Sequence, residues 1–249
     1  MRIKLIVFMF ILVLACGQSR PATPEPSEPL PAVEATEAPD PTPIPEPPTP
    51  IPELPTPTPE PTATPAPAYP EFEPISLSGS GDSVQDIAKP EGPALLRVSG
   101  NSEARFFAII ALDAAGQQVD LLVNTTNPYE GVRPLDLQGS QTTRLQIQAT
   151  GNWTAELFPV TQAPVINVPG ALSGQGDIVL RLAGAIPDIA NIRGNESARF
   201  FAVIGYGSGF PDLLVNTTDV YEGQVVIRSG VNLLMVQATG PWNVEITGK

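Results

Sequence analysis

Few kinds of side chain in this 249-residue protein could do chemistry. The sequence contains no histidine and a single cysteine, Cys16. Histidine-based acid–base catalysis, Ser-His-Asp and Cys-His nucleophiles and the common zinc sites are therefore excluded. Phosphate-binding loops of the GxxxxGK[ST] or GxGxxG type do not occur either. Carboxylate oxygens, amide oxygens and aromatic rings remain as the candidate functional groups.

The clearest cluster of such oxygens is a stretch that occurs twice. The sequence Asp-Leu-Leu-Val-Asn-Thr-Thr stands at 120–126 and again at 212–218. Carboxylate and amide oxygens are ligands for Ca²⁺ and hydrogen-bond partners for sugar hydroxyls. The candidate ligand-binding residues are therefore Asp120, Asn124, Asp212 and Asn216.

A structural interpretation of the same residues competes with the binding one. Calcium requires six to eight oxygen ligands, and neither copy has the Asp-rich loop that would supply them. In the structural interpretation each Asp pairs with an arginine of a neighbouring strand, such as Arg105 or Arg199. Each Asn then caps the turn that follows. The sequence favours this second interpretation and predicts neither a metal nor a cofactor.

Four aromatic residues are candidates for stacking against a sugar. Trp153 and Trp242 share the two-residue period of the apolar residues that follow them, so we expect both indoles in the core. Tyr129 and Tyr221 each precede Glu-Gly, a turn signal, so we expect them in loops, more exposed than the tryptophans. They are the aromatic candidates for a glycan site, although a tyrosine at such a place often covers the edge of a core.

Catalysis by a pair of carboxylates, as in glycosidases, is a remaining alternative. The acidic residues are scattered along the sequence and form no local cluster. We therefore expect a protein that is not an enzyme, and an extracellular carboxylate hydrolase stays the less favoured alternative.

The N-terminus carries an export signal. Arg2 and Lys4 precede and flank an apolar run of ten residues, 5–14, which is too short to span a bilayer but has the length of a signal-peptide core. The run ends in Val13-Leu14-Ala15-Cys16, which resembles the lipobox of bacterial lipoproteins. The resemblance implies a signal peptide at 1–15, a lipid on Cys16, and a protein anchored to the bacterial membrane at the cell surface or in the periplasm.

Residues 16–74 form the lipid attachment point and a stalk. Between residues 20 and 74, 21 of 55 residues are proline, and ten acidic residues face one arginine. Proline fixes φ and lacks an N–H, so neither helix nor sheet propagates through such a segment. We predict a disordered, extended, polyproline-like spacer.

An internal duplication begins at residue 75. We predict two repeats, 75–161 and 170–249. The offset between matching stretches falls from 95 to 89 along the chain, which places the missing residues in loops. Besides the stretch at 120 and 212, the recurring sequences are LSGxGD at 77 and 172, ARFFA at 104 and 198, YEG at 129 and 221, and QATG at 148 and 237.

Each repeat is dense in short strand signals. Apolar and polar residues alternate at 145–149 and 153–157, and the Thr-Gly-Asn between them predicts a hairpin turn. Residues 106–112 and 200–204 are apolar at both parities, so we expect one face of each strand to contact its own core. The other face should meet the second sheet or the other repeat, or, as a sharper possibility, another chain.

These signals predict an all-β protein with two tandem antiparallel β-sandwich repeats, jelly-roll or immunoglobulin-like, beyond the stalk. The Gly-Asp start and the Asp-Leu-Leu-Val strand are similar to those of bacterial pre-peptidase C-terminal domains. That resemblance implies an accessory or substrate-binding module.

The charge distribution limits the partners. The formal net charge is −13, and no basic patch interrupts it, so nucleic acid is not expected as a partner. We expect a non-catalytic cell-surface lipoprotein with a binding, adhesion or envelope-scaffold role. Its partners would be the membrane, through the lipid, and an extracellular protein or glycan. A carbohydrate-binding accessory protein is the second candidate.

Overall fold

The structure is a computed structural model that describes residues 69–249. Cys16, the predicted signal peptide and the predicted stalk up to residue 68 lie outside the described residues. Within 69–249 the chain is almost entirely β, and this part contains no helix long and apolar enough to cross a membrane.

Seventeen strands follow one another, with a single turn of 3-10 helix, Val160–Gln162, after the eighth. The strands of the first repeat are β1 Ile75–Ser80, β2 Ser83–Asp86, β3 Ala94–Gly100, β4 Phe107–Leu112, β5 Gln118–Thr125, β6 Tyr129–Leu135, β7 Arg144–Ala149 and β8 Asn152–Phe158. The remaining strands are β9 Val165–Val168, β10 Gly170–Gln175, β11 Ile178–Gly184, β12 Pro187–Gly194, β13 Phe201–Gly207, β14 Asp212–Thr217, β15 Tyr221–Val226, β16 Val231–Ala238 and β17 Pro241–Gly248.

The strands form two β-sandwiches in tandem. In the first, the sheet β1-β8-β3-β6 packs on the sheet β2-β7-β4-β5, which is the strand order of a jelly roll. The second sandwich repeats this order with β10-β17-β12-β15 and β14-β13-β16-β11, and adds β9 at one edge. The predicted all-β fold with two tandem antiparallel sandwiches is confirmed; β9 alone pairs in parallel, with β11.

The predicted hairpin between β7 and β8 is wrong. β7 pairs with β2 and β4 in one sheet, whereas β8 pairs with β1 and β3 in the other. The turn at Gly151 therefore carries the chain across the core from sheet to sheet. The alternation of apolar and polar residues shows that each strand has one buried face, but it does not identify the strand with which each one pairs. Two consecutive strands with buried faces can lie side by side in one sheet or face each other across the core.

Both tryptophans lie in the cores, as the sequence predicts. Trp153 is 2% exposed and Trp242 3%. The indole N–H of Trp153 donates to the backbone oxygen of Gly81, and that of Trp242 donates to the backbone oxygen of Gly176, both at 3.0 Å. The polar atom of each buried indole is therefore satisfied.

Glycines on both neighbouring strands make room for aromatic rings of the core. In the first repeat Gly79 and Gly100 lie directly opposite Trp153. A Cβ on Gly79 would lie 2.5 Å from the Trp153 ring, and one on Gly100 would lie 2.8 Å from the ring of Phe107. The second repeat places Gly174 and Gly194 in the same way. The recurring glycines thus preserve a packing arrangement.

A third apolar cluster joins the two sandwiches. It contains Leu95 and Phe158 from the first repeat, Val160 and Ala163 from the connection, and Val179, Leu233 and Met235 from the second repeat. Ile204 and Tyr206, on the outer face of β13, pack against it. The prediction that the 200–204 strand contacts the other repeat is therefore confirmed for the second copy.

Some of these positions are polar where no repeat covers them, although Val84, the counterpart of Val179, is apolar and 60% exposed. Leu233 and Met235, each 1% exposed, correspond to Arg144 and Gln146 in the first repeat. On the opposite side of the contact, Phe158 and Val132 correspond to Thr247 and Gln224 in the second repeat, and both of these are exposed.

The last residues of the predicted stalk reach this same cluster. Tyr69 packs against it and its hydroxyl donates to the side-chain oxygen of Asn232 at 3.2 Å. Burial raises the pKa of Tyr69. The chain thus enters the folded part beside the contact between the repeats.

Candidate functional site

Asp177 connects the two sandwiches at their polar contact, here called the junction. Its Oδ2 accepts from the Tyr129 hydroxyl at 2.8 Å and from Nη1 of Arg133 at 3.2 Å. Its Oδ1 accepts from the amide of Ala238 in its own repeat, at 2.9 Å. Gln237, with its side-chain oxygen turned toward Arg133, accepts from the same guanidinium. One carboxylate thus satisfies donors of both repeats.

The backbones of the two repeats also pair at the junction, through one isolated β-bridge. The amide of Val132 donates to the backbone oxygen of Asp177 at 2.9 Å, and Gly131 and Asp177 form an isolated parallel bridge. Gly131 is required for this approach, because a Cβ there would lie 2.8 Å from the Cβ of Asp177 and 2.9 Å from the Tyr129 oxygen.

The first repeat contains the same carboxylate without the junction. Asp82 accepts from the amide of Ala149 at 2.9 Å, as Asp177 does from Ala238, but its side chain is exposed. Both aspartates therefore anchor the turn between the first two strands of a repeat. Only Asp177 has the additional role at the junction.

A cleft of about 1200 Å³ lies beside the junction, between the repeats. Its first wall is the corner of the first sandwich where β5 turns into β6, together with Arg97. Its second wall comes from three segments of the second repeat. The lining residues are Arg97, 121–125, 127–133, 175–177, Ser197, Arg199, Phe200 and 237–239.

The charges that line the cleft are mostly positive. Arg97, Arg133 and Arg199 face Glu130 and Asp177, in a protein whose net charge is −13. Arg133 is paired with Asp177, and Arg97 is paired with Glu156 on the neighbouring strand. Arg199 forms no ion pair within residues 69–249. Glu130 also lines the cleft and balances the charge of Arg199, so the cleft carries no surplus of positive charge.

Asn195 positions the rim residues Arg199 and Phe200. It is 3% exposed and adopts φ 65, a left-handed conformation that asparagine tolerates better than most residues. Its amide nitrogen donates to the backbone oxygens of Arg199 at 2.5 Å and Asp219 at 2.7 Å, and its oxygen accepts from the Arg199 amide at 2.8 Å. Asn101 makes the equivalent bonds in the first repeat.

Sequence reasoning missed these residues, although a signal was present. The dipeptide Gly-Asn precedes both copies of ARFF, at 100–101 and 194–195. An asparagine retained in both copies after a glycine is typical of a left-handed turn that needs its side chain. Arg133 has no such signal, because the second repeat has Val225 in its place.

Two of the six predicted ligand-binding residues, Asn124 and Tyr129, line the cleft. Both predicted tyrosine positions need correction, because Tyr129 and Tyr221 begin strands β6 and β15 and do not lie in loops. Each ring is half-buried against the core of its own repeat. The glycine two residues later, Gly131 or Gly223, leaves space for the tyrosine hydroxyl.

The repeated aspartates make local contacts outside the cleft. Asp212 pairs with Arg228, at 2.5 Å, and not with Arg199 as predicted. Asp120 accepts from the amide of Leu121 at 2.7 Å, and not from Arg105. Arg105 and Arg199 belong to the loops held by Asn101 and Asn195. The donors that reach the two aspartates are therefore others, Arg228 for Asp212 and the following amide for Asp120.

The predicted asparagine caps are also replaced. Asn124 and Asn216 are exposed. The turns after them are capped by threonine: the Thr125 hydroxyl accepts from the amide of Asn127, and the Thr217 hydroxyl from that of Asp219, both at 3.0 Å. Among the described residues no group of three or more acidic, cysteine or histidine side chains could hold a metal ion.

Burial raises the pKa of Tyr129 well above its usual value of 10.0. The neighbouring Asp177 carboxylate raises the pKa further, because it repels a phenolate and accepts the phenol proton, while Arg133 lowers it in part. The hydroxyl therefore stays protonated and keeps donating to Asp177.

Comparison with protein-family models and with curated proteins finds no match to this sequence.

We expect Asp177→Ala to destabilise the protein more than Asp82→Ala. Both variants lose the bond to a turn amide, but only Asp177→Ala leaves Arg133 and Tyr129 without their partner. The additional loss should be about 2–4 kcal/mol in the free energy of unfolding, as for breaking a buried pair. Urea denaturation of the two variants measures it. Equal losses would show that the junction contributes nothing to stability.

The stability of the protein should also depend on Tyr129 at high pH. Below pH 10 the tyrosine is protonated in both states. Above pH 10 the unfolded chain ionises while the folded chain, with its raised pKa, does not, so the folded state loses stability as pH rises. Between pH 8 and 11 the wild type should lose about 1.4 kcal/mol more than Tyr129→Phe. Urea titrations at both pH values test this, and parallel profiles would contradict it.

Proposed function

We propose that this protein is a non-catalytic binding module of the bacterial cell surface, and that the cleft between its repeats is the binding site. The observation that supports this most directly is the cleft itself. It is built from both repeats and is held open by one polar junction. Its rim carries Arg199, which forms no ion pair with the residues that the structure describes, and Phe200, which is 49% exposed.

The carboxylates of the described residues favour binding over hydrolysis. The cleft contains Glu130, which is exposed, and Asp177, which is already bonded to Tyr129, Arg133 and Ala238. The buried carboxylate elsewhere, Asp136, forms a salt bridge with Lys89 at 2.8 Å. A carboxylate hydrolase needs two carboxyl groups on opposite sides of a substrate bond, and these residues do not provide that arrangement.

The N-terminal sequence supports the location of this module. A lipid on Cys16 and the acidic, proline-rich stalk would hold the sandwiches away from the membrane. The glycan alternative applies to the same cleft. Asn124, Asn127 and the exposed ring of Phe200 are groups that recognise sugars, whereas Tyr221, Asp120, Asp212 and Asn216 lie outside the cleft lining.

The duplication supplies a matched pair of variants to test the cleft. Arg199→Glu/Phe200→Ala alters its rim, whereas Arg105→Glu/Phe106→Ala makes the same changes in the first repeat, where these residues do not line the cleft. We expect fluorescently labelled full chain to bind saturably to envelopes of cells that lack it. The rim variant should bind at least tenfold more weakly, and the first-repeat variant should bind like the wild type. Equal behaviour of the two variants would place the binding site elsewhere.

The anchor has its own test. Cells grown with a clickable fatty acid should label the wild-type protein and not Cys16→Ser, while added protease should reach residues 69–249 from outside. An unlabelled wild type would make this a freely secreted protein.

A further inference from the structure

The free hydrogen-bonding groups of the cleft are mostly uncharged. Amide and hydroxyl side chains on both walls are exposed and make no hydrogen bond within residues 69–249. The first repeat supplies two of them and the second repeat three: Asn124, Asn127, Gln175, Ser197 and Thr239. Amides and hydroxyls both donate and accept hydrogen bonds. A ligand that matches them therefore carries groups that also do both, as sugar hydroxyls do.

The charges of the cleft are balanced. Two of its three arginines are already held in ion pairs, and Glu130 offsets the third, Arg199. A charged ligand would bring a charge for which the cleft holds no free partner, and burying such a charge is costly. An uncharged ligand avoids that cost.

The duplication gives a second indication that the cleft suits an uncharged ligand. Residue 127 is Asn at the cleft, whereas the matching residue of the second repeat is the acidic Asp219. Residue 197 is Ser at the cleft, whereas the matching residue of the first repeat is the acidic Glu103. Neither acidic residue lines the cleft. At both positions the cleft therefore contains the uncharged member of the pair.

A ligand in the cleft meets side chains rather than the main chain of β5. Leu122 and Val123, at the centre of that strand, are each only 2% exposed. On the other wall the ring of Phe200 is 49% exposed, and its loop is held by the buried Asn195. One face of a pyranose ring carries C–H groups that pack on an aromatic ring. The hydroxyls at the edge of the sugar then reach the polar side chains.

We propose that the cleft binds an uncharged oligosaccharide, which lies across both repeats with one sugar ring stacked on Phe200; this rests on the proposed function of the cleft as a binding site. The volume of about 1200 Å³ exceeds the usual range for a drug-sized molecule, about 300–1,000 Å³. The free polar side chains also lie on both walls. Both features fit a chain of several sugars better than a single one.

The probes are four uncharged pentasaccharides, cellopentaose, maltopentaose, mannopentaose and penta-N-acetylchitopentaose, each titrated onto the full chain by calorimetry. We expect at least one of them to bind saturably. Phe200→Ala should weaken that binding at least tenfold, because the sugar loses its stacking surface. Phe106→Ala, the same change outside the cleft, should leave it unchanged. If none of the four binds, or if the two variants bind alike, the proposal fails.

Exchanging residues between the repeats tests the uncharged polar groups. Asn127→Asp/Ser197→Glu gives the cleft the acidic residues that the other copy has at these positions. Binding of the pentasaccharide should fall at least fivefold, because a carboxylate accepts hydrogen bonds but cannot donate them. The reciprocal change outside the cleft, Glu103→Ser/Asp219→Asn, should not alter binding. Equal binding by the two double variants would contradict the proposal.

A charged sugar and the envelope titration separate the ligand class from the site. Tetragalacturonate should bind more weakly than the best pentasaccharide. If it binds more tightly, and Phe200→Ala abolishes that binding, the cleft remains the binding site and the proposal of an uncharged ligand fails. If no pentasaccharide displaces the labelled chain from envelopes, although the rim variant binds them weakly, again only the ligand class fails. If the rim variant binds envelopes like the wild type, the proposed function fails as well.

Discussion

The arrangement of the two repeats depends on the carboxylate of Asp177. One of its oxygens serves the turn of its own repeat and the other serves Tyr129 and Arg133 of the neighbouring one. Its backbone carbonyl is used as well, by Val132. The turn that carries Asp177 is also a wall of the cleft. Because these bonds must all be kept together, the same residue that joins the repeats also fixes a wall of the cleft.

The copied sequences have more than one use. In both repeats one glycine opposite the tryptophan leaves space for the indole and the other for a phenylalanine ring, Phe107 or Phe201. The asparagine after the second of these glycines holds the following loop. Those are requirements of folding, and they are met twice. The Tyr-Glu-Gly and Gly-x-Gly-Asp sequences are also kept twice, but one copy of each meets its counterpart at the junction while the other copies, Tyr221 to Gly223 and Asp82, do not. The junction and the cleft beside it are thus made from parts whose first role is structural.

The sequence predicts the fold well and the site only in part. Alternation identifies the strands and the buried tryptophans, because one face of each strand must leave water. It does not determine which strands pair, and so the crossing at Gly151 looked like a hairpin. The tyrosines looked like loop residues because Gly usually marks a turn, whereas Gly131 and Gly223 leave space for a tyrosine hydroxyl. The junction could not be predicted, since Asp82 and Asp177 stand in the same motif. What separates them is a partner, Arg133, that only tertiary structure brings near.

The contact between the sandwiches joins two different faces, one from each repeat. Such a contact has no intrinsic end, and identical repeats joined in this way would continue into an open filament. Here both outer ends carry polar replacements: Arg144 and Gln146 replace the apolar pair at one end, and Gln224 and Thr247 replace it at the other, although Val84, the counterpart of Val179, remains apolar and exposed. These side chains act as terminal caps, as in solenoid proteins. These four polar residues therefore reduce the apolar surface that a further sandwich could cover at either end.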